Sequence, residues 1–372
     1  MTRPILSKLS DDVTTKDFGA KGDGVTDDTA AINAALSSGA SRVRFLGHSL
    51  VSATLYYPAN IIIEFDRNAS VIPVALGSFT QLTLNGVTWG YAIFMNVNWQ
   101  ASSITDANVT FINPRCNPAS PWNGHFISSR KVQNLQVLGS QCTNMADVLS
   151  SMACQDVLVS GGWCSNISNC AYDFWEGPQH ISVVNNVGYN CNAGVNFNGT
   201  DTTVTKSLTA NGLLVQGNRF YGCATSGVFV APLSSGSICV NIKILDNYID
   251  QTGGVVGTPP GAAWNGITVE RSTWVEIRGN TLANIPTGAA PIIVGLDSWG
   301  YGNTANVTDN TILSSNVGSS SFYIQVYGAS SKVWNNRAID SSATGGAGIA
   351  VNSANTVVGP NDMTGASVYL VN

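Results

Sequence analysis

A short alternation of apolar and polar positions recurs through the C-terminal two thirds of the chain. Each copy has an apolar position, any residue and a second apolar position, and Asn or a small residue follows three positions later. Nine copies, at steps of 22 to 33 residues, start at Leu135, Val157, Ile181, Leu213, Ile242, Val275, Ala305, Ser331 and Thr356. Because the side chains of a strand alternate between its two faces, this period of two predicts a half-buried strand in each copy.

A second short strand, usually opened by a small residue, lies between successive copies. Examples are residues 194–198, 227–230, 266–270, 322–327 and 348–352. No copy contains a helical pattern, which argues against an α/β barrel. Two or three short strands in each turn of about 28 residues are typical of a parallel β-helix. We therefore predict an all-β, single-stranded parallel β-helix rather than an antiparallel sandwich, whose strands follow one another more closely.

The Asn that closes most copies suits this fold. Every coil must turn sharply at the same place, often in left-handed geometry, which Asn tolerates better than most residues. Stacked amides can also hydrogen-bond from coil to coil. An amphipathic segment at about residues 26–38 predicts a short α-helix that covers the open N-terminal end of the solenoid. Thr26 or Asp27 would cap this helix and Gly39 would end it.

The composition excludes several classes of protein. Charged residues are only 10%, with 17 Lys and Arg against 22 Asp and Glu, so clustered cations for nucleic acid are missing. The 9 Trp, 11 Tyr and 12 Phe argue against disorder. No apolar run is long enough to span a membrane, and the first residues show no secretory signal. The 8 cysteines recur at similar coil positions (Cys142 with Cys164, Cys191 with Cys223), which predicts stacked rows of free, buried thiols.

The segment DFGAKGDGVTDDTAAI, residues 17–32, resembles the N-terminal motif of the pectate-lyase-like superfamily of right-handed β-helices. That superfamily contains polysaccharide lyases, glycoside hydrolases, mannuronan epimerases and many bacteriophage tailspikes. The resemblance implies a right-handed solenoid over residues 17–372, with regular coils at about 120–365. It does not by itself imply one reaction.

Residues 9–16 look like the linker that precedes this motif in tail proteins of phages and prophages. The resemblance implies that residues 1–16 form an attachment segment, that the protein belongs to a virion tail, and that it is a homotrimer. Its partner would be a cell-surface or extracellular polysaccharide. An extracellular bacterial enzyme without a recognisable signal peptide is the alternative location.

The second strand series provides the candidate site. Outward positions of neighbouring coils form columns with a spacing of ~4.8 Å, along which a glycan can lie. Asp147 and Asp173 fall on neighbouring coils, so we expect their carboxylates ~5 Å apart, a separation that suits glycoside hydrolysis. The other catalytic candidates are Glu176, Glu270, Asp297 and His125. The predicted substrate-binding residues are Trp175, Asn196, Asn198, Arg271, Trp299, Tyr323 and Tyr327.

The strand around Asp173 resembles the active-site strand of mannuronan epimerases, aromatic-Asp-Pro-His-Glu. Asp173 and Glu176 match this pattern, but Trp175 stands where the catalytic His is expected, which argues against that chemistry. The full Asp-Asp and Gly-His-Gly set of polygalacturonases is also missing. A lyase needs cations, or calcium in their place, to neutralise a uronate, and no dense acidic cluster marks a calcium site. We therefore expect no cofactor or metal and favour hydrolysis over β-elimination.

Three functions remain open at this point. The first is a tailspike-like depolymerase that cleaves a host surface glycan by carboxylate acid–base chemistry. The second is a non-catalytic adhesin or structural tail protein that only binds glycan. The third is a bacterial polysaccharide lyase or epimerase.

Overall fold

The structure of the protein is a computed structural model. It describes residues 11–84, 87–118, 120–198, 208–232, 237–251, 265–286, 289–295, 304–313, 322–327, 330–339, 347–351, 355–364 and 368–371. The chain divides into two compact units, Met1–Ser168 and Asn169–Asn372. Both are built mainly from parallel strands, and the first unit also has one antiparallel pair, Gln81–Leu84 with Val87–Asn96.

The first strand of the first unit, Asp12–Thr14, lies before residue 17, where the solenoid was predicted to start. The described part of this unit holds a 3-10 helix, Thr15–Phe18, and one α-helix, α1, Thr29–Leu36. Its strands are β1 Asp12–Thr14, β2 Asp23–Asp27, β3 Arg42–Phe45, β4 His48–Ala53, β5 Leu55–Tyr57, β6 Ile61–Phe65, β7 Ser70–Ser78, β8 Gln81–Leu84, β9 Val87–Asn96, β10 Asp106–Ile112, β11 Arg115–Cys116, β12 His125–Arg130, β13 Val132–Leu138, β14 Gln141–Met145, β15 Asp147–Met152 and β16 Gln155–Ser160. The next strand, β17 Trp163–Trp175, contains the boundary between the units.

The second unit continues with strands only, within its described residues. They are β18 Gln179–Val184, β19 Val187–Phe197, β20 Thr209–Gln216, β21 Arg219–Tyr221, β22 Ser226–Val230, β23 Ile238–Leu245, β24 Tyr248–Asp250, β25 Ile267–Val269, β26 Ser272–Arg278, β27 Thr281–Ala283, β28 Ile292–Val294, β29 Ala305–Thr308, β30 Thr311–Leu313, β31 Phe322–Val326, β32 Lys332–Trp334, β33 Arg337–Ile339, β34 Ala347–Val351, β35 Val357–Val358, β36 Asp362–Thr364 and β37 Val368–Val371.

Parallel pairing between coils confirms the predicted β-helix in each unit. In the first unit one sheet has the order β1-β3-β6-β10-β13-β16, and in the second the order is β18-β20-β23-β26-β29-β32-β35. Apolar side chains stack in register along these sheets. The fully buried columns are Val43, Ile63, Phe111, Val137 and Val159 in the first unit and Val183, Val215, Ile244, Ile277, Val307 and Val333 in the second.

An asparagine ladder runs along the second unit, as the sequence predicted. Its members are Asn186, Asn218, Asn247, Asn280, Asn310, Asn336 and Asn361. In each step, the backbone N–H and the Nδ2 of one Asn both donate to the Oδ1 of the next, as Asn247 does to Asn280 at 3.0 and 2.9 Å. The amides thus satisfy buried polar groups at every turn.

The left-handed residue of these turns is not the ladder Asn itself, so that part of the expectation is wrong. A positive φ occurs one position earlier, as at Asn185, Asp246 and Asp309. The reason is that the ladder Asn lies in the buried row of stacked amides, while the residue before it takes the sharp bend.

The capping helix is shorter than predicted, at Thr29–Leu36 instead of about 26–38. Asp27 does accept a hydrogen bond from the Thr29 backbone N–H (3.0 Å), but Asp28 turns back to the Lys21 and Gly22 N–H groups (2.7 and 2.9 Å). Those bonds stabilise the preceding loop, so the helix starts later. Its buried side chains, Ile32, Ala35 and Leu36, cover the first coils.

The thiols are arranged as predicted. All 8 cysteines are free and buried, and Cys142 pairs in register with Cys164. In the ranges that the structure describes, no helix is long and apolar enough to cross a membrane.

Candidate functional site

One polar and aromatic column follows the second strand series in the second unit. Neighbouring strands of this series pair in register. The column consists of Asn196, Phe229, Thr268, Ile293 and Gln325. The alternate residues of the same strands are buried apolar side chains that fill the solenoid, so the column lies on the outward face.

Asp173 joins this column next to Asn196. The backbone N–H of Asn198 donates to the carbonyl oxygen of Phe174 (2.8 Å), which sets β17 and β19 in register here. The Asn196 Nδ2 donates to the Asp173 Oδ1 at 2.6 Å. Both side chains are nearly covered, with 2% of Asp173 and 8% of Asn196 exposed.

This pair leaves one buried acceptor without a partner. A carboxylate oxygen can only accept, so the amide nitrogen of Asn196 must face Asp173 and its Oδ1 must face away. The structure gives this Oδ1 no hydrogen-bond donor, although the atom is buried. An unsatisfied buried acceptor costs about 1–3 kcal/mol. Its position therefore suits a ligand that supplies a hydroxyl donor.

The surroundings of the pair are aromatic and partly open. Trp175, two positions after Asp173, and Phe229, in register with Asn196, are half-buried. Further along the column Gln325 accepts a hydrogen bond from the Tyr327 hydroxyl at 3.0 Å. The column thus combines a carboxylate, amides and rings, which is a chemistry suited to a sugar chain, although its middle residues, Thr268 and Ile293, are buried.

The first unit places His125 and Asp147 together. These residues stand opposite each other in the register of β12 and β15, and the imidazole Nδ1 forms an ion pair with the Asp147 Oδ2. Only 4% of His125 is exposed, and Asp147 is fully buried. A carboxylate on Nδ1 orients the ring and leaves Nε2 for proton transfer.

Main chain covers the Nε2 side of that ring. Gly90 has a φ of 124°, and a Cβ at this position would lie 2.9 Å from the His125 Nε2. Glycine is therefore required for β9 to pass so close to the imidazole. The pair is enclosed by protein rather than open to solvent.

Two of the predicted carboxylates are less exposed than outward-facing positions suggest, since Asp147 is fully buried and only 2% of Asp173 is exposed. Asp147 and Asp173 belong to different units, so their expected proximity stays a prediction. Glu176 follows the end of β17 with a φ of 59°, and its side chain is half-buried. Glu270 is also half-buried and follows β25.

The other predicted ligand-binding residues differ in how far they are buried. Tyr323 is fully buried, and only 1% of Asn198 and 7% of Arg271 are exposed. Tyr327 is half-buried. Two further predicted residues, Asp297 and Trp299, lie outside the described residues. The expectation that the site needs no metal or cofactor stays a prediction.

Sequence reasoning missed a second polar face, in the first unit. Arg115, Gln141 and Trp163 pair in register on β11, β14 and the start of β17. The signal was available, since each of these strands begins soon after a turn. However, β11 and β14 have only two and five residues, which show too little alternation to be recognised as strands.

Comparisons with known proteins agree on the fold. A family model described as a right-handed β-helix region matches residues 206–312. The chain is 24% identical over 337 residues to the non-secreted LysM effector LysM15 of Penicillium expansum; this match covers 80% of the chain and only 22% of that relative's length.

Three solved structures are similar at low identity. The Streptococcus pneumoniae adhesin PfbA has a TM-score of 0.68 at 14% identity, covering 96% of this chain and 99% of that one. A family 28 exopolygalacturonase of Yersinia enterocolitica has a TM-score of 0.66 at 13%, covering 96% and 78%. A tailspike of E. coli bacteriophage HK620, in complex with a pentasaccharide, has a TM-score of 0.63 at 11%, covering 97% and 69%. The chain therefore has the right-handed parallel β-helix fold that phage tailspikes and a polygalacturonase also have.

Proposed function

We propose that this protein binds and hydrolyses a polysaccharide along the outward column of its second unit. The observation that supports this most is the Asp173–Asn196 pair, whose remaining acceptor, the Asn196 Oδ1, is buried without a donor. A sugar hydroxyl would satisfy that acceptor. The fold similarity to an exopolygalacturonase and to a tailspike in complex with a pentasaccharide agrees with this substrate class.

In the proposed reaction Asp173 is the acid–base group nearest the glycosidic oxygen. Asn196 holds its carboxylate in one orientation, and the ring of Trp175 supports the neighbouring sugar. Glycosidases pair two carboxylates at about 5–5.5 Å when they retain configuration and at about 6.5–9.5 Å when they invert it. Glu176 and Glu270, both half-buried, are the proposed second carboxylates.

Hydrolysis is preferred to β-elimination because of the groups that line the column. A lyase must neutralise the carboxylate of a uronic acid, and the column residues Asn196, Phe229, Thr268, Ile293 and Gln325 carry no positive charge. Amides and rings, in contrast, serve hydroxyl groups and apolar sugar faces. A lyase or epimerase would instead produce unsaturated or epimerised products, which mass and NMR analysis identify.

Asp173→Asn tests the proposal. Purified wild type and variant are incubated with a panel of capsular and lipopolysaccharide glycans, and new reducing ends are measured with the masses of the products. Acid–base catalysis contributes about 10²–10⁴-fold, so we expect the variant to lose at least 100-fold in rate. Asp362→Asn, at an exposed carboxylate of the same unit, is the control.

Two checks keep this test decisive. The far-UV circular dichroism spectrum and the melting temperature of Asp173→Asn must match those of the wild type. Asn196→Ala, which removes the buried Oδ1 acceptor, should weaken substrate binding. An Asp173→Asn variant that cleaves at the wild-type rate would place the chemistry elsewhere.

A non-catalytic adhesin is the second candidate function. It is favoured by the cover over Asp173, which leaves only 2% of this side chain exposed, and the fold is also that of an adhesin, PfbA. Tight glycan binding without new reducing ends, equal in wild type and Asp173→Asn, would favour this candidate.

Assembly and location are part of the same proposal. We propose a homotrimer, because few charges on the coil faces favour lateral packing of the chains. We also propose that this trimer belongs to a virion tail and is attached through its N-terminal segment. The alternative location is outside a bacterial cell. Sedimentation equilibrium distinguishes a mass of three 39.0-kDa chains from that of one.

A further inference from the structure

A cleft in the first unit is distinct from the column just described. One residue from each of five successive coils contributes to it. His48 pairs with Ser70 in register, and Arg115 pairs with Gln141, which pairs with Trp163. Cys116 stands opposite Val71, which places Arg115 beside Ser70. Four strand spacings of ~4.8 Å give the row a length of about 19 Å, enough for a short oligosaccharide.

The row opens into a cavity of about 470 Å³. The buried side chains of Ala69 and Cys116 form part of its lining, and exposed amides stand at its edge, among them Asn117 and Gln141. At one end, the His48 Nδ1 lies 2.9 Å from the Ser70 hydroxyl. The walls therefore present several hydrogen-bonding groups, of which His48, Ser70 and Gln141 lie on strands.

Arg115 gives the cleft its charge. Its Nε is buried and has no hydrogen-bond partner, and no carboxylate among the described residues pairs with its guanidinium. Arg42, a half-exposed arginine of the same unit, differs in that it lies 3.0 Å from Glu64. A guanidinium fork matches a carboxylate with two parallel bonds, so Arg115 suits a ligand that carries a carboxylate.

Trp163 gives the cleft an apolar platform. Its side chain is 40% exposed, which is unusual for so large a ring. The face of an indole carries negative potential and attracts the partly positive C–H groups of a pyranose. The ring stands two coils from Arg115, so a carboxylate and a sugar face can be bound at the same time.

We propose that this cleft binds an acidic oligosaccharide, with a sugar carboxylate on Arg115, a pyranose face on Trp163 and hydroxyl groups on the amides. One cation with amides and an indole is not suited to nucleic acid, which needs several cations in a row. The cleft is a binding site only, without a reaction of its own. It is independent of Asp173 and does not need the proposed hydrolysis.

Titration of the full chain with defined sugars tests this. Oligogalacturonate and oligomannuronate are compared with neutral maltohexaose of equal length, by calorimetry at low salt. We expect the wild type to prefer at least one acidic sugar by tenfold or more. Arg115→Gln should weaken that binding at least tenfold, and Arg115→Lys should weaken it less, since it restores charge without the fork.

Matched variants separate this site from general effects. Arg42→Gln removes a half-exposed arginine of the same unit, and Trp334→Ala removes a tryptophan that is 37% exposed. Both should bind like the wild type, whereas Trp163→Ala should lose at least tenfold. Asp173→Asn should bind here normally, so this result does not depend on hydrolysis. Equal affinity for neutral and acidic sugars, no acidic binding, or equal effects of Arg115→Gln and Arg42→Gln would overturn the proposal.

Discussion

Replacing Asn247 by alanine tests how much the asparagine ladder stabilises the second unit. The side chain makes four hydrogen bonds. Its Nδ2 donates to the Val215 carbonyl and the Asn280 Oδ1, both at 2.9 Å. Its Oδ1 accepts from the backbone N–H and Nδ2 of Asn218, both at 3.0 Å. Truncation removes all four and leaves buried groups that water cannot reach.

The expected loss follows from these contacts. At about 1 kcal/mol for each hydrogen bond, Asn247→Ala should lower the free energy of unfolding by about 4 kcal/mol. Asn241→Gly is the control, because Asn241 is exposed, has a φ of 58° that glycine adopts freely, and makes one amide contact, to Asn211 at 2.7 Å. We expect the control to lose about 1 kcal/mol or less.

Urea unfolding followed by circular dichroism measures both variants. Long solenoids can unfold in more than one step, so the midpoint and the slope are fitted for each transition. If Asn247→Ala unfolds at the same urea concentration as Asn241→Gly, the ladder does not stabilise the unit in the way its geometry indicates.

Two further predictions concern titration and thiol reactivity. Hydrogen bonds from the backbone N–H and hydroxyl of Thr26 help to lower the pKa of Asp23 from 3.8 to about 2. Its ionised form therefore stabilises the fold above pH 4, and this contribution disappears as the pH falls towards 2. The difference in the free energy of unfolding between wild type and Asp23→Asn should therefore decrease from pH 4 to pH 2. A difference that stays constant over this pH range would contradict the prediction. Burial raises the pKa of Cys154 to about 11, so iodoacetamide at pH 8 should label this thiol only after unfolding, which mass spectrometry of native and urea-treated protein checks.

The coil architecture could be predicted because its signals are local and repeated. Period-two alternation indicated strands, and an Asn at the same place in successive copies, such as Asn218 and Asn247, indicated a ladder. The end of the capping segment was less predictable, because Asp27 and Asp28 are chemically identical in the sequence. Only the fold determines that Asp28 turns to Lys21 and Gly22.

The site was harder to predict than the fold. Register correctly placed Asn196, Phe229 and Thr268 in one column. The burial of Asp173 could not be inferred in this way, because register gives the strand partner of a residue and not its exposed fraction, which is 2%. The cleft was missed because β11 and β14, which carry Arg115 and Gln141, are too short to show a period.

The ladder also determines how many residues can be removed from or added to this chain without disrupting its hydrogen bonds. Each ladder amide donates to the amide of the following winding, and apolar side chains of the described strands stack in register from winding to winding. Excising residues 247–279 would therefore bring Asn280 directly opposite Asn218, with an acidic bend residue still in front of it. Removal of half a winding would place Asn218 opposite a side chain that cannot accept its hydrogen bonds. Shortened or lengthened versions for engineering should be cut in whole windings.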